Sequence, residues 1–138
     1  MSDQLIEKLD EDETWSIIRE NQIGRIASAR EGAPDIFPVS YLVHNWNIYL
    51  RTGTGSRLQA ETEGKLVAFE AATQTPATFS SAVSLGVLSV VTDAAEIAEL
   101  EQLLIVNFSR DDECVWMKLS PNEVRGRRLF VLSSANDR

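Results

Sequence analysis

The sequence predicts a mainly β fold, a small antiparallel barrel with peripheral helices. Two observations carry this expectation. Short runs rich in Val, Ile, Leu, Tyr and Phe follow one another, separated by turn residues and by connections short enough for hairpins. The chain has 138 residues, which suits one domain, and a sheet of about six strands at this size commonly closes on itself to remove its edges. Residues 1–138 are therefore expected to form a single domain, with its core over about 9–132.

The first element is a helix. Asp10 reads as its N-cap, and Glu13 completes a capping box three residues on. Glu11, Asp12 and Glu13 fill the first turn, where the helix dipole favours acids. Trp15 and Ile18 share a face, and the run ends at Asn21-Gln22. A strand over 23–29 then leads through Glu31-Gly32-Ala33-Pro34 into a second strand over 35–43. Pro38 sits in the middle of that run. Lacking an N–H, it predicts an edge, a bulge or a break. The polar tip His44-Asn45-Trp46-Asn47 and a strand over 48–52 complete a hairpin.

Gly53-Thr54-Gly55-Ser56 breaks that strand, and a short helix over 57–63 follows, capped near Thr54 or Ser56 and closed by Gly64. Residues 65–71 read as a buried strand. A longer serine-rich strand runs over 79–92, with Gly86 as a bulge or bend. Asp93 caps a further helix, on which Ile97, Leu100, Leu103 and Leu104 make an apolar stripe. Two last strands, 115–119 and 124–132, are expected to join through Ser120-Pro121-Asn122.

Charge narrows the function. The formal net charge is −8 and the pI about 4.6. Such a chain repels phosphate backbones and anionic membrane surfaces, so neither nucleic acid nor membrane is an expected partner. The N-terminus lacks a basic stretch followed by an apolar one, so it does not read as a signal peptide. The longest weakly polar stretch, Ser81 to Val91, falls well short of the ~20 apolar residues of a membrane helix. A soluble, cytoplasmic protein is expected. One cysteine, Cys114, cannot form an internal disulfide, and one histidine, His44, cannot build a multi-histidine metal site. Cys114 lies among acids rather than the cations that activate a thiol nucleophile, and reads as structural. His44, at a hairpin tip, reads as a surface residue.

One segment stands out chemically. Arg51 and Arg57 flank Thr52-Gly53-Thr54-Gly55-Ser56 at a strand-turn-helix junction. Backbone N–H groups, a helix start, the hydroxyls of Thr54 and Ser56 and two guanidinium groups suit a phosphate monoester. The same residues also suit a plain capped turn, and the segment is not a Walker loop. Glu70, at the end of a buried strand, reads as a carboxylate paired with an arginine, with a site carboxylate as the alternative. Trp116 reads as core, with stacking on a planar ligand as the alternative. The sequence assigns no role to the cluster Arg125, Arg127 and Arg128.

Taken in order, these pieces resemble a family. Ile23-Gly24-Arg25-Ile26-Ala27, then Pro34-Asp35-Ile36-Phe37-Pro38-Val39-Ser40-Tyr41, then Ile48-Tyr49-Leu50-Arg51-Thr52 with Gly55-Ser56-Arg57-Leu58, then Val67-Ala68-Phe69-Glu70 and Val124-Arg125-Gly126-Arg127-Arg128 follow one another. Their order and spacing resemble the pyridoxamine 5′-phosphate oxidase-like flavin-binding proteins, and more narrowly the small branch near the nitroimidazole-resistance proteins. The resemblance runs from about Leu9 to Phe130. It implies an antiparallel Greek-key barrel of the FMN-binding split-barrel type. It also implies a homodimer with FMN at the interface. The flavin edge would lie along the backbone of Pro38, Val39 and Ser40, and the phosphate beside Arg51, Thr52, Ser56 and Arg57.

An FMN-dependent oxidoreductase acting on a small molecule follows as the leading expectation, because the cofactor would carry the redox chemistry. A non-catalytic flavin- or haem-binding carrier or sensor, and a deazaflavin-dependent reductase, are the alternatives. The lone His44 makes haem ligation unattractive. The sequence departs from the family pattern where Ser40 replaces a common asparagine and where Phe79 stands in a region that often carries Trp-Ser. It also lacks the C-terminal Arg-x-His-type motif of true pyridoxamine phosphate oxidases, which speaks against a vitamin B6 oxidase.

Overall fold

Period-two alternation of buried and exposed side chains dominates the chain and gives it a sheet. The computed structural model describes residues 6–104 and 113–132. They form β1 (Ile6–Leu9), α1 (Glu11–Glu20), β2 (Ile23–Arg30), β3 (Ala33–His44), β4 (Asn47–Gly53), α2 (Arg57–Thr62), β5 (Lys65–Gln74), β6 (Thr78–Val90), α3 (Ala94–Gln102) and β7 (Cys114–Phe130).

Strands β2, β3 and β4 form a meander, and β5 returns to lie beside β2, which makes a Greek key. The order β7-β4-β3-β2-β5-β6 then closes, because β6 pairs with β7, and every pairing is antiparallel. β1 pairs with the far end of β7, outside this ring. This is the predicted split barrel.

Three details differ from the sequence reading. β1, four residues long, was too short to signal itself. β7 is one strand of 17 residues rather than two. Ser120-Pro121-Asn122 is not a turn: β6 pairs Leu85 with Glu123 and Gly86 with Pro121, so Asn122 is the extra residue of a bulge. Gly86 is required there, because a Cβ would strike the Ser120 carbonyl. Pro38 does not interrupt β3. Its reason lies in the direction of its missing N–H, described below.

The barrel interior is filled by Ile26, Ile48, Leu50, Phe69, Leu88, Met117 and Leu119, all essentially buried. Helix α1 packs against β3, β5, β6 and β7 and adds Trp15, Ile17 and Ile18 to this core. Its capping box is formed as predicted, with the Glu13 N–H donating to Asp10 at 2.8 Å. The Tyr41 hydroxyl donates to the Ile18 carbonyl at 2.6 Å and pins the helix to β3. At the β3–β4 hairpin, Asn45 and Trp46 both have positive φ. Trp46 meets Trp15 edge-on at 5.2 Å and carries the Arg19 guanidinium 4.2 Å from its ring centre. These contacts offset the strain of an aromatic residue in that conformation.

Helix α3 covers the outer face of β4 and β7. Leu100 packs with Tyr49, Val91 and Trp116 in a second small core.

Candidate functional site

The barrel opens between β3 and β4. The two strands pair from His44↔Asn47 to Tyr41↔Leu50, and the pairing then stops. Continued in register, Ser40, Val39 and Pro38 would face Arg51, Thr52 and Gly53. Instead β3 stays with β2, where Val39 pairs with Gly24 and Ser40 with Ile23. β4 stays with β7, where Arg51 pairs with Trp116 and Thr52 with Val115. The strands part, and a cleft of about 390 Å³ lies between them.

Backbone polarity in the split follows from the ladder. The Tyr41 N–H donates to the Gln22 carbonyl at 3.0 Å, toward β2. Antiparallel pairing alternates sides residue by residue, so the peptide groups of Pro38 and Ser40 face the cleft. Pro38 therefore omits an N–H on the side where no strand waits, which is why a proline is tolerated in the middle of β3. Ser40 presents its N–H and carbonyl to the opening.

Five of the predicted site residues line this cleft: Pro38, Val39, Ser40, Arg51 and Thr52. Trp116, Cys114 and Leu104 join them. Ser56 stands next to the cleft through Thr52, with the two hydroxyl oxygens 2.9 Å apart. Arg57 does not join the lining. It is 73% exposed and pairs with Asp35 at 2.6 Å and with Glu61 at 2.8 Å. Hydrogen bonding to Glu61, and the charge of Asp35, push its pKa further up.

The glycine turn is satisfied internally. The Thr54 N–H donates to the Glu113 carbonyl, the Ser56 N–H to the Gly53 carbonyl, and the Gly55 N–H to the Gln59 side chain. Ser56 is the N-cap of α2 and accepts from the Gln59 N–H at 3.1 Å. The loop is thus a capped turn, and its donors are engaged. Among the described residues, the cation that lines the cleft is Arg51, whose guanidinium carbon lies 6.0 Å from the centre of the Trp116 ring.

Trp116 is buried under α3 and donates its indole N–H to Glu101 at 2.8 Å. The same carboxylate is 4.0 Å from the Arg51 Nε. Nothing local in the sequence marks Glu101, one acid among several on α3. Two other α3 acids are matched on the sheet. Glu96 accepts from the Tyr49 hydroxyl at 2.6 Å and from Lys118 at 2.9 Å, and Glu99 lies 3.2 Å from His44. The Tyr49 hydrogen bond, with Lys118, lowers the Glu96 pKa. Burial and the Glu96 carboxylate push Tyr49 up to about 12. His44 is therefore tied to α3, away from the cleft. Glu70 pairs with Arg25 at 3.3 Å and accepts from Ser81 at 2.8 Å, as the arginine-paired reading expected. Arg128 pairs with Glu7, and Arg125 with Glu123.

The family model described as pyridoxamine 5′-phosphate oxidase matches residues 10–128. The chain belongs to this family. Among solved structures, the FAD binding protein from Mycobacterium smegmatis is 25% identical. It has a TM-score of 0.85, with 91% of this chain and 100% of that one covered. A conserved protein of unknown function from Corynebacterium diphtheriae is 25% identical, with a TM-score of 0.79 and coverages of 92% and 99%. A provisionally assigned 5-nitroimidazole antibiotic resistance protein from Bacteroides thetaiotaomicron, 17% identical with a TM-score of 0.70 and coverages of 91% and 89%, shares the fold. No curated protein matches the chain. In this member of the pyridoxamine 5′-phosphate oxidase family, no helix among the described residues is long and apolar enough to cross a membrane.

Proposed function

We propose that the chain binds a flavin in the split between β3 and β4 and serves as an oxidoreductase for a small molecule. The observation that carries this reading is the opened strand pair. It offers a planar ligand a backbone N–H and carbonyl at Ser40 on one side and the Arg51 guanidinium on the other. The cleft's size lies within the usual range for small-molecule sites. Hydrogen bonding to main-chain groups suits the polar edge of a flavin ring, which presents both donors and acceptors. When bound, a flavin supplies hydride or single-electron transfer, and the protein supplies orientation and exclusion of water.

Ser40 would fix the ring edge, Val39 and Leu50 would form an apolar floor, and Arg51 with Thr52 would hold a phosphate group. The resemblance favours FMN, while the Mycobacterium smegmatis relative is an FAD binding protein. Both flavins share the phosphate that Arg51 would meet. A homodimer, in which a second copy walls the open side of the cleft, completes the proposal.

Mass spectrometry of ligand released by denaturing the purified protein tests it. FMN or FAD in roughly stoichiometric amount supports the reading. A protein that is isolated colourless and fails to take up FMN, FAD or riboflavin on titration overturns it. Reduction of the bound flavin by NADH or NADPH, followed by turnover of an acceptor, then separates an enzyme from a carrier.

A further inference from the structure

Glu101 occupies an unusual place. It lies in the last turn of α3, and its Oε2 accepts the Trp116 indole N–H at 2.8 Å while standing 4.0 Å from the Arg51 Nε. Arg51 and Trp116 are cross-strand partners, and both line the cleft. Glu96 and Glu99 on the same helix are paired with Lys118 and His44, which lie outside the cleft lining. Glu101 is thus the α3 acid whose cation belongs to the site.

We propose that Glu101 is a specificity-determining residue: it orients the Trp116 indole and, by its charge, weakens the hold of Arg51 on anionic ligands. The inference rests on the flavin reading and adds to it. At 4.0 Å the carboxylate and guanidinium form an ion pair too long for a hydrogen bond. A phosphate drawn to Arg51 therefore meets a second anion behind the guanidinium. Part of the attraction is cancelled, and like charges at this range oppose each other. A neutral flavin feels no such opposition, so Glu101 compresses the difference in affinity between phosphorylated and unphosphorylated flavins.

The Glu101→Gln variant of the full chain tests this, because an amide oxygen still accepts from the indole while the charge is gone. In equilibrium titrations followed by flavin fluorescence, FMN should bind about three- to tenfold more tightly than to wild type. Riboflavin should change by less than about twofold, and the FMN gain should shrink as salt is raised. Unchanged FMN affinity overturns the proposal. So does an equal change for both flavins, which would mark Glu101 as a purely structural support for Trp116. If wild type takes up neither flavin, the flavin reading fails, and inorganic pyrophosphate carries the comparison. A larger rise in melting temperature for Glu101→Gln than for wild type supports the charge effect, and an equal rise overturns it.

Discussion

Arg51 and Arg57 look alike in the sequence, and their surroundings separate them. Arg57 spends its guanidinium on Asp35 and Glu61 at the surface, whereas Arg51 faces the cleft beside Thr52 and Trp116. A charge-assisted hydrogen bond is worth roughly 1.5–3 kcal/mol, so Arg51→Ala should weaken FMN binding about tenfold to a hundredfold. Arg57→Ala should cost less than Arg51→Ala, and riboflavin should be insensitive to both. Parallel titrations of the two variants check the order; the reverse order would return the anchor to Arg57. The two tyrosines give a pH prediction. Tyr49 is pushed up to about 12 by burial and Glu96, and Tyr41 is raised higher still by its burial under α1. Their neutral forms are favoured in the folded state, so their contribution to stability is complete below pH ~10, the unfolded value. It is lost as pH rises from there toward the folded values. A spectrophotometric titration of the native protein should show no phenolate step near pH 10, and the urea-unfolded protein should show both tyrosines ionising there.

At the scale of elements, the β6–β7 bulge is an exacting piece of construction. A Cβ on Gly86 would collide with the Ser120 carbonyl and crowd Leu119. Gly86→Ala should therefore destabilise the fold by about 1–3 kcal/mol, the range for overpacking. Gly53→Ala, whose Cβ would meet nothing within 4 Å, should stay within about 0.5 kcal/mol of wild type. Urea unfolding of both variants gives the comparison. Helix α1, both hairpin strands, the capped α2 and the bend at Gly86 were all legible in the sequence, because capping boxes, turn residues and period-two runs are local signals. The continuity of β7 was not legible. Ser120-Pro121-Asn122 carries the chemistry of a turn, and only β6 running alongside turns it into a bulge. The site was half legible for the same reason. Arg51 and Thr52 were marked by their own neighbours, but Glu101 meets Arg51 and Trp116 only through the packing of α3 on the sheet, and no local pattern announces that. Pro38 left an edge, a bulge and a break open, and the edge is what the fold uses: its ring nitrogen faces the opened side, where an N–H would have had no strand to meet.

At the scale of the whole molecule, the described residues leave a broad apolar surface uncovered. On the outer face, Ile36 pairs with Ala27, Ala27 with Ala68, Ala68 with Leu85, and Leu66 with Val87. Ile36 and Leu66 are each more than 60% exposed. A contiguous patch of this kind suits an association surface, and the proposed homodimer would cover it with a second copy. Light scattering during size exclusion should give about twice the chain mass of 15.4 kDa, and a Leu66→Glu, Ile36→Glu double variant should shift the protein toward monomer. A wild-type protein that runs as a stable monomer would remove the dimer from the proposal. The long strand β7 has a further consequence for how the chain reaches this form. It holds β6 along most of its length, β4 at one end and β1 at the other, so Leu50 must find Met117 across about half of the sequence, and Ile6 must find Leu129 across most of it. Such distant closures lose much chain entropy before they gain contacts, and they slow folding. Until β7 arrives, the edges of β4 and β6 stand open, able to pair with other chains, so the last step that shuts the barrel is also the step that protects it from aggregation.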